Sequence, residues 1–155
     1  SNLEIYDLLH SPGPEVVHTL PAEWHFKTDP SGAGWSERWD KQEIDASWAP
    51  ISIMKAWTDQ GHDYHGAAWY RTSFRLPGAA EGEKNLKLRL GAIDGDAMII
   101  LDGKKLGEVK GQAWDQPSTF PLPPTLDPNQ EHRLAIRVTK DNFAAGLWKP
   151  VRITR

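Results

Sequence analysis

The sequence has no cysteine, no long apolar run and no excess of positive charge, and each absence excludes a class of protein. Without cysteine there are no disulfides, thiol nucleophiles or thiolate metal sites, so the composition fits either side of a membrane. No stretch approaches the roughly 18 apolar residues of a membrane-spanning helix. The 18 Lys and Arg are outnumbered by 21 Asp and Glu, which leaves a net charge of −3. We therefore expect neither a membrane nor a nucleic acid as partner.

Length and composition favour one small folded domain. A chain of 155 residues that is 39% hydrophobic and 25% charged lies within the globular range. Because it begins with Ser1-Asn2 and not with Met, we expect it to be one domain of a longer protein.

Glycine, proline and tryptophan are abundant. The 13 Gly and 12 Pro interrupt helices and favour short strands joined by turns. The 8 Trp residues offer large flat apolar surfaces, which either fill a core or form a platform for a ring-shaped ligand. Composition alone leaves both roles open.

Alternation of apolar and polar residues predicts strands along most of the chain. The period of two is clear in Ala22–Thr28, Leu86–Leu90 and Leu134–Val138. Asp102-Gly103 predicts the two-residue turn of a hairpin, because both positions tolerate positive φ. The five prolines of Pro117–Pro128 predict an edge or crossing segment. Further strands are predicted at 67–76, 98–101, 104–109 and 148–153, with a strand-like lead-in over 3–9 and 16–20.

Eight or nine short strands with almost no helix predict an all-β fold, an antiparallel β-sandwich, jelly roll or barrel. We expect a single domain, with a lead-in over 1–20 and the sandwich from about 20 to 155. The exception is 34–48, where a short helix or helical turn would place Trp35 and Trp39 on one face. Trp24, Phe26 and Trp69 are predicted to be core, and Trp39 with Trp48 to attach this irregular segment to the sandwich.

The order of the segments resembles a known family, the N-terminal sugar-binding domain of glycoside hydrolase family two, of the β-galactosidase and β-glucuronidase type. The resemblance covers about residues 20–153 and implies a galactose-binding-like jelly roll. Its motifs, in chain order, are Trp24–Pro30, Gly34 and Trp39, Trp48 and Ile51, Trp57 and Gly61, Gly66–Arg71 with Phe74, Leu88–Ile93, the hairpin Ile99–Gly107, Leu134–Val138 and Gly146–Val151.

Two departures and one size limit qualify what the resemblance implies. Asp102 stands where the family usually has Asn, and Gly111–Pro117 matches the family's Gly-rich loop only loosely. The family's catalytic carboxylates lie on a separate barrel, which needs roughly 250 residues. The resemblance therefore implies an accessory or carbohydrate-binding domain, with an oligo- or polysaccharide and a catalytic barrel domain as partners. An extracytoplasmic location, periplasmic or secreted, is favoured.

Tryptophans in loops are the first candidates for sugar contact, since sugars need an apolar ring face and polar groups for their hydroxyls. Trp35 lies beside Gly34, Trp114 lies between Gln112 and Asp115, and Trp148 follows Ala144-Ala145-Gly146; packing and ligand contact both remain open for each. Asp141 and Asn142 precede Trp148 in one loop, whose family counterpart lies close to the active site of the barrel. A solvated turn is the alternative for that loop.

Acidic and histidine residues are weaker candidates for a metal. The segment His62–His65 could supply a metal triad or a sugar-contacting loop, and we assign His65 to sugar contact. Asp94 and Asp96 could give calcium two oxygen ligands, although the later ligands of a known calcium loop are missing. No cofactor is expected apart from this possible calcium. No catalytic pair can be named among the 21 acids, because sequence does not show which carboxylates lie together.

The sequence thus favours a non-catalytic carbohydrate-binding or accessory domain of a larger glycoside hydrolase. One alternative is a purely structural domain that packs on a catalytic barrel without a sugar site. The other is a small stand-alone enzyme acting on polysaccharides.

Overall fold

A computed structural model describes residues 15–80 and 82–155, so the lead-in predicted at 3–9 lies outside the described residues. Two short 3₁₀ helices span Trp57–Gln60 and Gly78–Ala80, and one α-helical turn, α1, spans Ala33–Ser36. The strands are β1 (Val16–Thr19), β2 (Glu23–Thr28), β3 (Ala49–Ser52), β4 (Gly66–Phe74), β5 (Lys87–Leu90), β6 (Ile93–Asp94), β7 (Asp96–Leu101), β8 (Lys104–Val109), β9 (Ser118–Pro121), β10 (His132–Lys140), β11 (Gly146–Leu147) and β12 (Val151–Thr154). Within these ranges no helix is long and apolar enough to cross a membrane.

The strands form a six-stranded sheet in the order β3-β2-β4-β10-β7-β8 and a four-stranded sheet in the order β1-β12-β5-β9. A third, two-stranded sheet pairs β11 with β6, and the pairs in all three sheets are antiparallel. The prolines around β9 place it at an edge, as predicted, because proline has no N–H to donate to a second neighbour. The prediction of an all-β antiparallel sandwich is confirmed.

One hydrophobic core joins the inner faces of the two large sheets. Burying its side chains removes a large apolar area from water, which is the main favourable contribution to folding. Its fully buried members include Leu88, Leu90, Val151 and Ile153 of the four-stranded sheet and Tyr70, Ile99, Leu134 and Ile136 of the six-stranded sheet.

A second, smaller cluster covers the outer face of the six-stranded sheet, so strand β4 is buried on both faces. Trp39 and Trp48, 6.1 Å apart between ring centroids, pack with Trp69 on that face. Nη1 of Arg71 donates to the carbonyls of Trp39 and Gln42 at 2.6 and 2.9 Å. The predicted attachment of residues 34–48 through Trp39 and Trp48 is confirmed.

The helix expected over this segment is shorter than the spacing suggests. It ends at Ser36, and Arg38 has φ +53°, a left-handed conformation that cannot continue a right-handed helix. The chain therefore turns, and Trp39 lies buried on the sheet while Trp35 stays 43% exposed. The expectation that Trp35 and Trp39 share one helical face is wrong.

The last strand also differs from the prediction, since it begins at Val151 and not at Trp148. Pro150 precedes it and has no N–H for the ladder. Trp148 is thereby left outside the regular sheet, in the loop where it was assigned as a candidate.

Protonation of Asp40 is expected to weaken the turn that carries Trp39. Nε and Nη2 of Arg38 donate to the two oxygens of Asp40 at 2.9 and 2.7 Å, and this pair holds the pKa of Asp40 below its ordinary value of 3.8. A carboxyl group whose pKa is lowered by folding adds stability above its unfolded pKa, and this stability is lost as the pH falls through the folded pKa. Asp40→Asn should therefore lower the melting temperature at pH 7 by a few degrees, and this difference should shrink as the pH falls below 3.8.

Thermal unfolding followed by circular dichroism between pH 2 and 7 measures this difference. Asp115→Asn, at an exposed site, is the matched control and should unfold like the parent throughout. An Asp40→Asn difference that is independent of pH would contradict the assignment.

Candidate functional site

Two predicted residues, Trp114 and Trp148, come together although 34 positions separate them. Their rings are stacked, with centroids 5.2 Å apart and planes at 27°. Nε1 of Trp148 donates to the backbone carbonyl of Trp114 at 2.8 Å, and Trp114 is 57% exposed. More than half of the Trp114 side chain therefore lies outside the packing of the core.

The stacked rings border a cleft of about 260 Å³, which we call the tryptophan cleft. Its remaining wall combines small or flexible apolar side chains with charged ones: Met54, Lys55, Ala56, Asp59, Asp94 and Ala144. Nζ of Lys149 lies 4.6 Å from the centroid of the Trp148 ring, on the aromatic face. The cleft therefore offers aromatic surface with hydrogen-bonding groups around it.

Hydrogen bonds order the loop that presents Trp114. The Gly111 N–H donates to Oδ1 of Asp96 at 3.0 Å. Nε2 of Gln112 donates to the carbonyls of Gln116 and Pro117 at 3.1 and 2.8 Å, which closes the loop on itself. Since the loop is ordered before a ligand arrives, less conformational entropy is lost on binding.

The calcium candidates Asp94 and Asp96 already have partners in the protein. Asp94 forms an ion pair with Lys140, whose Nζ also donates to the Ala144 carbonyl at 3.0 Å. Asp96 accepts the Gly111 N–H described above. A cation at Asp94 would therefore have to displace the Lys140 ammonium group. Over 15–80 and 82–155, no group of three or more histidine and acidic side chains could hold a metal ion.

His65 and the loop after β10 meet at a different point of the same region. Nε2 of His65 lies 2.7 Å from the carbonyl oxygen of Phe143. Phe143 has φ +56° and is 83% exposed, and its neighbours Asp141 and Asn142 are exposed as well. His62 instead packs against Phe26, 4.9 Å between ring centroids, so the two histidines of His62–His65 diverge.

Trp35 lies apart from both places, on the outer face of the six-stranded sheet. Its ring contacts Trp69 edge to face at 5.1 Å, and the guanidinium of Arg137 lies 5.1 Å from its centroid. The six predicted sugar-contact residues thus occupy three places: the tryptophan cleft, the His65 and Phe143 region, and the Trp35 surface.

Part of the cleft wall has no recognisable sequence signal. Met54 and Lys55 follow β3, and Asp59 lies in the first 3₁₀ helix. The sequence of this stretch shows only apolar residues followed by a polar loop, a pattern that does not predict a binding site. Met54 is 45% exposed, which is unusual for a residue next to two core side chains, Ile53 and Ala56.

A family model described as "Beta-galactosidase second all-beta domain" matches residues 33–142. Two curated relatives are β-glucuronidases. The protein from Paenibacillus borealis is 24% identical over 127 residues, which are 79% of this chain and 21% of the relative. The protein from Formosa agariphila is 26% identical over 141 residues, which are 81% of this chain and 14% of the relative. The chain therefore spans about a fifth or less of the length of these relatives.

Solved structures share the fold. The apo β-glucuronidase from Ruminococcus gnavus superposes with a TM-score of 0.76 at 19% identity, covering 90% of this chain and 28% of that protein. The β-glucuronidase of an uncultured Clostridium species gives a TM-score of 0.75 at 22% identity, covering 88% and 28%. The segment order, the antiparallel sandwich and the family match agree: this chain belongs to the β-galactosidase second all-β domain family and is a β-sandwich domain of the glycoside hydrolase family two type.

Proposed function

We propose that this chain is a non-catalytic accessory domain of a glycoside hydrolase and that it contacts carbohydrate at the tryptophan cleft. The observation that carries the proposal is the exposed, stacked pair of Trp114 and Trp148 beside charged and polar side chains. The relatives named above are glycoside hydrolases several times longer than this chain, which supports an accessory role.

The cleft has both kinds of group that a sugar ring needs. The indoles offer apolar surface to the C–H groups of a pyranose, and Asp59 and Lys55 on the rim can accept from and donate to its hydroxyls. We expect weak affinity for a single sugar, since each hydroxyl exchanges a hydrogen bond with water for one with the protein. A longer oligosaccharide should bind more tightly, because it buries more ring surface.

The residues around the cleft support binding and not bond cleavage. Glycosidic hydrolysis requires two carboxyl groups facing each other across the bond, about 5 to 9.5 Å apart. Asp94 is already paired with Lys140, and Asp59 lies exposed in the neighbouring 3₁₀ helix. The carboxylates that the family resemblance implies belong to a barrel domain, which 155 residues cannot contain.

Trp114→Ala and Trp148→Ala are each expected to abolish retention of the protein by a polysaccharide that retains the parent chain. Removing either ring takes away half of the stacked surface, while the main core stays intact. The melting temperature should change little for Trp114→Ala and by a few degrees at most for Trp148→Ala, which is half-buried. Affinity electrophoresis against a panel of plant and microbial polysaccharides, with differential scanning fluorimetry of the same variants, measures both.

Trp35→Ala is the matched control, because Trp35 is also an exposed indole but lies on the outer sheet face. It should keep normal retention. If no glycan in the panel retains the parent chain, or if Trp35→Ala loses retention and Trp114→Ala does not, the cleft is not the carbohydrate site.

Exposed apolar side chains beside the cleft favour a second candidate function, docking on a catalytic domain without sugar contact. Met54 is 45% exposed and lines the cleft. Phe143 is 83% exposed and directly precedes Ala144, which also lines it. Such a patch is typical of protein contact surfaces. Under this alternative no glycan would change the mobility of the isolated chain.

A further inference from the structure

A second cleft, of about 490 Å³, lies on the outer face of the six-stranded sheet beside residues 42–44. We call it the arginine cleft, after Arg71 of β4 and Arg133 of β10. Its wall is almost entirely polar, with no tryptophan, tyrosine or phenylalanine side chain from the described residues. It therefore cannot hold a sugar by ring stacking, as proposed for the tryptophan cleft.

Arg71 carries a buried charge without a carboxylate partner. Its side chain lies on the outer face of β4, and the residue is only 5% exposed. Nη1 donates to the Trp39 and Gln42 carbonyls, whereas Nε is sealed from solvent without any hydrogen-bond partner. In the described part of the chain no acidic oxygen lies within ion-pair distance of this guanidinium. Burying a cation without a paired anion costs free energy, and most buried charges in proteins are paired. The unpaired guanidinium of Arg71 is therefore a feature that calls for a functional explanation.

The contrast with Arg38 shows which donors of Arg71 are unused. Arg38 presents Nε and Nη2 to the two oxygens of Asp40, the bidentate arrangement that carboxylates favour. The same edge of Arg71 has no such partner within the described residues, and its Nη2 is not among the sealed atoms. Arg71 lines the cleft, so a ligand there can reach this donor.

Arg133 adds a second positive charge to the same cleft. It is exposed, and its one side-chain hydrogen bond is a long one, 3.4 Å to the carbonyl of Lys41. Burial lowers the pKa of Arg71 and the charge of Arg133 lowers it further, whereas the more distant charges of Asp40 and Glu43 raise it.

Three acidic side chains, Glu23, Glu43 and Glu131, also line the cleft, so the two guanidinium groups do not give it a net positive charge. The glutamates are exposed, as Arg133 is, and water screens all four charges, so an anion would depend mainly on the buried charge of Arg71. The glutamates can accept hydrogen bonds from hydroxyl groups. Thr72, Ser73 and Gln42 add groups that both donate and accept.

We propose that the arginine cleft binds a small polyhydroxylated carboxylate, with the carboxylate between Arg71 and Arg133 and the hydroxyls on the polar wall. Two sources share this chemistry: the uronic acid residue at the end of a glycan and a free sugar acid. The site is separate from the tryptophan cleft, and the proposal does not depend on the carbohydrate function proposed there.

Isothermal titration calorimetry of the whole chain with four probes tests the proposal. Sodium gluconate represents a free sugar acid and methyl glucuronide a ring uronate, while glucose and acetate lack either the charge or the hydroxyls. We expect at least one of the two sugar acids to bind at least tenfold more tightly than glucose or acetate, and the more tightly bound one identifies the source.

Arg133→Gln should weaken that binding about tenfold or more, since it removes a charge-assisted hydrogen bond. Arg133 is exposed, so this variant avoids the risk that changing Arg71 unfolds the protein. Arg75→Gln is the matched control, because Arg75 is also exposed, donates to a single carbonyl at 2.8 Å and does not line the cleft. It should bind like the parent chain.

Trp114→Ala should also leave binding of the sugar acid unchanged, which separates this site from the tryptophan cleft. The proposal is overturned if neither sugar acid binds the parent chain, if acetate or glucose binds as tightly as the better of the two acids, or if Arg133→Gln and Arg75→Gln have the same affinity for that acid.

Discussion

Trp69→Ala is expected to lower the free energy of unfolding by about 3 to 5 kcal/mol, the usual cost of deleting a buried tryptophan. Trp69 is fully buried on the outer face of the six-stranded sheet and contacts Trp35 and Trp39. Its Nε1 donates to Oδ2 of buried Asp29 at 2.9 Å. Alanine would leave a cavity and would also remove a donor from a buried carboxylate. Since small domains are stable by about 5 to 15 kcal/mol, the loss would be a large part of the total.

Urea unfolding followed by intrinsic fluorescence and circular dichroism measures this change. Trp69→Phe is the intermediate case, because it keeps one aromatic ring but removes the hydrogen bond and part of the indole volume, so we expect a smaller loss of about 1 to 3 kcal/mol. Trp114→Ala controls for the residue type at an exposed position. A Trp69→Ala protein as stable as the parent would show that the outer face is not packed as described.

Gly146→Ala is expected to destabilise the protein by about 3 to 5 kcal/mol, or to prevent folding. Gly146 has φ +104°, which side-chain-bearing residues rarely adopt. A Cβ at this position would overlap the Tyr70 hydroxyl and lie 2.8 Å from the Trp57 ring. Tyr70 and Trp57 are both fully buried, and the Tyr70 hydroxyl accepts the Leu147 N–H at 3.2 Å. Neither ring can move away without disturbing the main core.

Gly61→Ala is the matched control for this variant. Gly61 also has positive φ, +85°, but nothing lies within 4 Å of the position of its Cβ. Its substitution should cost only the backbone strain, about 1 kcal/mol. Equal melting temperatures for the two variants would mean that the crowding at Gly146 carries no energy and that strain alone explains the effect.

The strong packing at Gly146 bears on the tryptophan cleft, because Gly146 and Leu147 directly precede Trp148. β11 is fixed by pairing with β6 and by the Tyr70 hydroxyl, so Trp148 leaves the core at a defined point. Ala144, on the other side of Gly146, is held through its carbonyl by Lys140. A site built on such fixed elements can hold its aromatic surface in one orientation.

The two clefts differ in the chemical groups that they present to a ligand. The tryptophan cleft has aromatic rings and a neutral ion pair, Asp94 with Lys140, whereas the arginine cleft has two guanidinium groups and no aromatic platform among the described residues. A domain with both would contact a glycan by ring stacking at one place and by carboxylate recognition at another. The variants Trp114→Ala and Arg133→Gln address the two places independently.

The local structure of this protein is determined largely by its sequence. Trp24 and Phe26 alternate with His25 and Lys27, and a strand forms there with the aromatic rings inside, because the period of two places alternate residues on opposite faces. Asp102-Gly103 predicts a hairpin turn, and both residues have the positive φ that the turn needs, +50° and +81°. These features depend only on neighbours in the chain.

The short helix or helical turn predicted within 34–48 forms as a single turn over Ala33–Ser36, and it ends before Trp39 for a reason that a local pattern does not contain. The spacing of Trp35 and Trp39 suits a helix, but Arg38 is held in the left-handed region where it pairs with Asp40 and donates to the Gly103 carbonyl at 3.1 Å. Gly103 lies 65 residues further along the chain. A contact at that distance overrides the local preference.

The sequence by itself determined the all-β class, the strand and turn positions and the tryptophans that fill the core, because each follows from periodicity and backbone preference. Only the tertiary structure decided that Trp114 stacks on Trp148, that Asp94 pairs with Lys140 and that Arg71 is buried without a carboxylate beside Arg133. These groups meet because two sheets and their connecting loops pack in one particular way. The chemistry of a side chain determines which ligands it can bind. Its neighbours in the folded structure determine whether its polar or aromatic groups are free to bind them.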